Sequence, residues 1–107
     1  MANRHRGEIE VELGGRNYTL CLTLGALAEI ENAYGGDDII AIAERFEKGR
    51  IGAGDAIRII GAGLRGAGNA VTDKEVAAMP VTGGAAGYLG IVIDLLKATF
   101  EPPGKTG

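Results

Sequence analysis

Two short alternating runs near the start of this chain constrain its fold more than any other feature. Residues 8–13 read Glu-Ile-Glu-Val-Glu-Leu, which places Ile9, Val11 and Leu13 on one side and Glu8, Glu10 and Glu12 on the other. Residues 18–24 alternate again, with Tyr18, Leu20, Leu22 and Leu24 against Thr19, Cys21 and Thr23. Between them lies Gly14-Gly15-Arg16-Asn17, a turn-forming cluster. The pattern predicts a β-hairpin with a four-residue loop, pairing Leu13 with Tyr18, Val11 with Leu20 and Ile9 with Leu22. All the apolar side chains then share one face. A lone hairpin is marginal in water, so the rest of the chain must cover that face.

The rest of the chain has helical spacing. Leu24, Leu27, Ile30 and Tyr34 form one stripe, with Thr23 placed to cap its start and Gly35-Gly36 to end it. Asp37 or Asp38 caps a second helix that turns Ile39, Ile42, Ala43 and Phe46 inward, with Gly49 past its end. Residues 54–67 predict a third helix with Ile57, Ile60 and Leu64 inside and Arg58 and Arg65 outside. Thr72-Asp73-Lys74-Glu75 reads as a capping box opening a short helix that stops before Pro80. Residues 84–100 predict the last helix, and residues 101–107 a polar tail. The expected fold is α+β: an N-terminal β-hairpin packed on a small bundle of four to five helices. One domain is expected over residues 1–107, with an ordered core over about 7–100, because 107 residues cannot enclose two useful cores.

The last helix is unusual. Tyr88-Leu89-Gly90-Ile91-Val92-Ile93-Asp94-Leu95-Leu96 is apolar nearly all round, so it is either central or covered by a partner. A buried strand also fits Ile-Val-Ile. Leu89, Val92, Leu96 and Phe100 share one stripe and are the candidate partner-binding residues, for a partner helix or for self-association.

Composition narrows the function. Lys and Arg number 11 against 14 Asp and Glu, with no dense basic run, which speaks against nucleic acid. A single Cys excludes an internal disulfide and argues for a reducing compartment. One Cys and one His cannot build a His/Cys metal cage. No apolar run approaches the roughly 18–20 residues a membrane span needs. Met1 to Gly7 is polar with no apolar segment behind it. The expected location is cytoplasmic. Gly is overrepresented, 19 of 107 residues against a usual share of about 7%, so small side chains must fill much of the interior.

No motif argues for catalysis. Gly61-Ala62-Gly63-Leu64-Arg65-Gly66 matches a dinucleotide-binding spacing, but residues 81–86 lack the acidic group expected about 20 positions on. The alternative is a helix whose small residues sit at a crowded packing face. Gly104-Lys105-Thr106 has Thr99 where a phosphate-binding loop needs Gly. Cys21 lies on the Thr face of its strand, and the only base for it would be His5. Asp37-Asp38 is better explained by helix capping than by a cation. The Glu8, Glu10 and Glu12 ladder reads as a wet sheet face or an edge guarded against aggregation. No enzyme activity and no cofactor are expected.

The run Tyr18 to Glu31, the segment Asp55 to Arg65 with its Gly61-Ala62-Gly63-Leu64-Arg65, and Thr72 to Val76 follow the opening Gly7-Glu8-Ile9 strand. Taken together, this pattern over about residues 7–101 resembles the small tail-assembly-chaperone proteins of gene transfer agents and siphophage-like tails in alphaproteobacteria. The resemblance implies a non-enzymatic protein that coats the tape-measure protein, helps recruit tail-tube protein, and leaves as the tube polymerises. Some members are described as tail tube components, so the resemblance also admits a structural tail protein retained in the particle. The implied partners are the tape-measure and tail-tube proteins. A homo-oligomer also fits, and nucleic acid and membrane do not. The family brings no catalytic residues to this chain.

Overall fold

The computed structural model describes residues 2–3 and 6–100. Its elements run β1 (Glu8–Leu13), β2 (Arg16–Cys21), α1 (Leu24–Ala33), α2 (Ile39–Glu47), α3 (Ala53–Gly66), α4 (Asp73–Ala77) and α5 (Gly84–Phe100). This is the expected α+β arrangement, an antiparallel two-stranded hairpin followed by five helices. His5, the Gly104-Lys105-Thr106 motif and the tail at 101–107 lie outside the described residues.

The hairpin forms with a tighter turn than the loop expected for it. Leu13 pairs with Arg16, Val11 with Tyr18 and Ile9 with Leu20, leaving only Gly14 and Gly15 in the turn. Both have positive φ, +59° and +80°. Two left-handed residues in succession make a type I′ turn, whose twist matches that of the strands, and Gly-Gly adopts it without a Cβ penalty. The register therefore shifts by two residues. A shift of two preserves the faces, so Ile9, Leu13 and Leu20 still enter the core. Leu22 lies beyond β2 and is buried there.

Local chemistry sets the helix ends. The Ala26 N–H donates to Thr23 Oγ1 at 3.1 Å, and the Ala41 N–H to Asp38 Oδ1 at 2.8 Å. The Thr72–Glu75 box closes in both directions, at 3.1 Å to Thr72 Oγ1 and 2.8 Å to Glu75 Oε1. At the end of α1, the Gly36 N–H reaches the Glu31 carbonyl at 2.9 Å and the Gly35 N–H reaches Asn32 at 3.3 Å. That double bond pattern closes the helix.

The most enclosed helix is α3. Every residue from Ile59 to Leu64 is buried. Its stripe is wider than Ile57, Ile60 and Leu64, and Ile57 is only partly buried. The glycines explain how it fits. A Cβ on Gly63 would lie 2.8 Å from Leu95 Cδ2 and 3.4 Å from Leu20 Cβ, and one on Gly66 would overlap the Cys21 carbonyl oxygen. So α3 is pressed between β2 and α5 at distances a larger residue would not allow. The glycine run of the nucleotide-like motif is a packing face on the C-terminal half of a helix.

The stripe expected on α1 is also corrected at one position. Ala26 and Ile30 are buried, Leu27 and Tyr34 pack at the margin, and Leu24 is 85% exposed. Six residues of helix turn through about 600°, about 240° beyond one full turn, which leaves Leu24 roughly 120° away from Ile30. Finally, α5 closes the molecule against the first strand, where Gly7 lies beside the Ala98 carbonyl and the Thr99 backbone, while Gly14 lies beside Met79 and Pro80 in the segment between α4 and α5.

Candidate interaction surface

The helix α5 has two different sides. Val92, Leu95, Leu96 and Ala98 are buried. Ile93 is 49% exposed and Phe100 39% exposed. Ala86, Gly90, Ile93, Lys97 and Phe100 follow one another at four- and three-residue steps, and all are exposed. One uncovered face of the helix is therefore apolar except for Lys97. The stripe expected to meet a partner is split by the structure. Val92 and Leu96 lie in the core, Leu89 is half-buried, and Phe100 stands at the exposed end of the helix. The helical spacing could have singled out Ile93, but a helix apolar all round gives no reason to prefer one stripe.

Leu89 also lines a groove of about 370 Å³ that lies between the start of α3, α4 and α5. Ile51, Ala56, Ile57, Ala77 and Tyr88 form much of the rest of the lining, which is mainly apolar. The Tyr88 hydroxyl bonds to the Met79 carbonyl, with the Val76 carbonyl at 3.3 Å, which ties α5 to the segment leaving α4. Two further large apolar side chains stand in solvent elsewhere, Leu24 at the start of α1 and Ile40, 53% exposed, on α2.

The polar clusters are structural. Arg65 joins three elements: it pairs with Glu29 of α1, lies 3.0 Å from Asp73 Oδ1 of α4, and donates to the Val71 carbonyl at 3.0 Å. The Asp73 contact is an ion pair without an aligned hydrogen bond. Gly61 leaves the space that this carboxylate occupies, since a Cβ there would overlap Asp73 Oδ1. Hydrogen bonding to Glu29 is the largest influence holding the Arg65 guanidinium above its ordinary pKa.

A second cluster surrounds Tyr34. Its hydroxyl donates to Asp55 Oδ1, while Asp55 Oδ2 accepts the Gly52 N–H at 2.8 Å at the start of α3. The Arg45 and Arg58 guanidinium groups sit 5.3 and 5.4 Å from the Tyr34 ring centre. Burial, and then the Asp55 carboxylate, push the phenol up to about 12.

Cys21 faces a polar hollow with Arg6, Glu8 and Thr19, and its Sγ lies 3.5 Å from the Arg6 carbonyl. Burial first, and then the Glu8 charge, raise the thiol pKa against a lowering by Arg6. A thiol held protonated is a poor nucleophile. Asp38 caps α2, as expected. Among the described residues no cluster of three or more His, Cys, Asp or Glu is arranged to hold a metal ion. Also among them, no helix is long and apolar enough to cross a membrane.

The structure thus leaves large apolar side chains of α1, α2 and α5 uncovered, and a comparison with known families adds a setting. The family model described as "Phage tail tube protein, GTA-gp10" matches residues 6–102. The chain belongs to this family. The match runs through both strands and all five helices, including the groove and the open face of α5. Neither the curated proteins nor the solved structures contain a match to the chain. The likeness to gene transfer agent tails thus holds at the level of the tail. The family is described by the tube rather than by assembly chaperoning, and as a tail protein rather than an enzyme.

Proposed function

We propose that this chain is a structural protein of a gene-transfer-agent tail, retained in the particle and joined to neighbouring tail proteins through apolar surface on α5. The observation that carries this reading is the family match over residues 6–102, described as a tail tube protein. The uncovered side chains of Ile93 and Phe100 supply contact area of the kind that marks protein interfaces. In this reading Leu89 and Phe100 reach the neighbour, while Val92 and Leu96, on the same stripe, hold the helix in place beneath them. The partners are tail-tube subunits, including further copies of this chain, and assembly takes place in the cytoplasm of the producing cell. The chain forms one domain and works without a cofactor.

A second reading, a chaperone that holds the tape-measure protein and then departs, is favoured by one observation. Leu24 is 85% exposed at a position with no packing role, as expected of a surface that binds an apolar client transiently. Quantitative mass spectrometry of purified particles separates the two. Copy numbers comparable to those of the tube protein support the structural subunit. Absence from particles, with the tape-measure protein captured on the tagged chain in producing cells, replaces it with the chaperone.

A further inference from the structure

The hairpin has one covered edge and one open edge. In a two-residue turn the closing pair Leu13–Arg16 is hydrogen bonded, and bonded pairs then alternate through Val11–Tyr18 and Ile9–Leu20. The backbone groups of Glu8, Glu10, Glu12 and Gly14 therefore point away from β2. On the far side of β2 the edge is covered at Thr19 and Cys21, because Asn69 Nδ2 donates to the Thr19 carbonyl at 3.0 Å and Gly66 abuts the Cys21 carbonyl. On β1, among the described residues, only the two ends are closed. The Glu8 N–H donates to the Asn3 carbonyl at 3.0 Å, and the Gly14 N–H to the Pro80 carbonyl at 2.8 Å. Between them, the outward N–H and C=O groups of Glu10 and Glu12 have no hydrogen-bond partner among the described residues, and both residues are exposed.

We propose that this open edge of β1 is a strand-docking site for a partner protein whose added strand carries Lys or Arg at alternate positions. The unpaired groups of Glu10 and Glu12 offer such a strand four backbone hydrogen bonds, in a window closed at both ends. The Glu10 and Glu12 side chains stand on the solvent face beside it and select basic residues there, Glu8 being engaged by Arg6 and the Asn3 N–H, while the intervening residues lie on the side of Val11. A second copy of this chain is a poor occupant. Antiparallel pairing of β1 with itself brings one glutamate ladder against another, and facing like charges are destabilising. The proposal does not depend on whether the chain stays in the finished tail.

The test uses the full chain and a capped peptide of about eight residues alternating Lys and Val. Two controls accompany it: an isomer with all Lys before all Val, and the alternating peptide N-methylated at every second amide. The expected result is saturable binding of the alternating peptide alone, with slowed hydrogen exchange at the Glu10 and Glu12 amides. E10P removes an outward donor while leaving the bonded pairs to β2 intact. It should weaken binding about tenfold, the value of one lost hydrogen bond. The E10K/E12K chain should turn instead to an alternating Glu and Val peptide, and it decides the matter if E10P does not fold.

Binding of the blocked isomer as tightly as the alternating peptide overturns the proposal, as does unchanged affinity in folded E10P. So does failure of any peptide to bind, which leaves the glutamates as a guard against aggregation. Protection of Glu10 and Glu12 in a concentration-dependent dimer also overturns it and gives the edge to a second copy.

Discussion

Two glycines on neighbouring helices have opposite meanings. A Cβ on Gly66 would overlap the Cys21 carbonyl oxygen, which belongs to backbone and cannot swing away. Gly90 lies on α5 with nothing within 4 Å of the same added atom. G90A should therefore raise stability by about 0.5–1 kcal/mol through helix propensity alone. G66A should lower it by about 1–3 kcal/mol through forced displacement of β2 from α3. Thermal denaturation of the two variants beside the parent chain reads both signs.

Tyr34 makes a pH-dependent contribution at the same scale. Its folded pKa of about 12 lies above the ordinary value of 10, so the native state favours the protonated phenol. The stability this adds is complete below pH 10 and is lost as the pH climbs from there toward 12. Denaturant unfolding across that range should show the decline, and Y34F should flatten it. An undiminished slope in Y34F would move the effect to other groups.

Among the elements, the hairpin and the caps were legible in sequence because their chemistry is local. Thr23, Asp38 and Thr72 each sit directly before an apolar stripe, and each accepts the N–H three residues on. The register was less legible, since loops of two and four residues both keep Ile9, Leu13 and Leu20 on one face. The Gly14-Gly15 pair carried the missing signal, as a preferred type I′ sequence. The central place of α3 was hidden for a different reason. Gly61, Ala62 and Gly63 are buried but add almost no hydrophobicity to the pattern. On α5 the difficulty is reversed, for too many positions are apolar to say which side is covered.

That last ambiguity yields an element-scale prediction. Leu95 is fully buried beside Gly63, and L95A should cost about 2–5 kcal/mol. Ile93 is half exposed, and I93S should change stability by no more than about 0.5 kcal/mol. If the open face of α5 is an interface, I93S should lose self-association or tail-protein binding while keeping its melting temperature. Sedimentation and capture of tail proteins give the binding result, and calorimetry the folding result. A folded I93S chain that binds as the parent does removes that face from the account.

Considered whole, the molecule is held together by contacts between distant parts of the sequence. Its radius of gyration is 12.8 Å, close to the roughly 13 Å expected of a folded chain of this length. The ion pairs of Arg65 cross from α1 to α4, and the Asn69 amide reaches back to β2. Most important is the seam where β1 and the residue before it meet the end of α5.

That seam puts a strand made early by the ribosome in contact with a helix made well after it. Until α5 has been synthesised, the apolar side of the hairpin has α3 to rest on but lacks half of its cover. A growing chain halted after Thr82 should accordingly be cut rapidly by protease and bind a hydrophobic dye, while the full chain resists both. Long-range closure of this kind folds slowly compared with neighbouring helices. During every round of translation, then, the cell handles an unfinished protein whose greasy side is showing, and the time spent in that state is governed by the speed at which α5 is delivered.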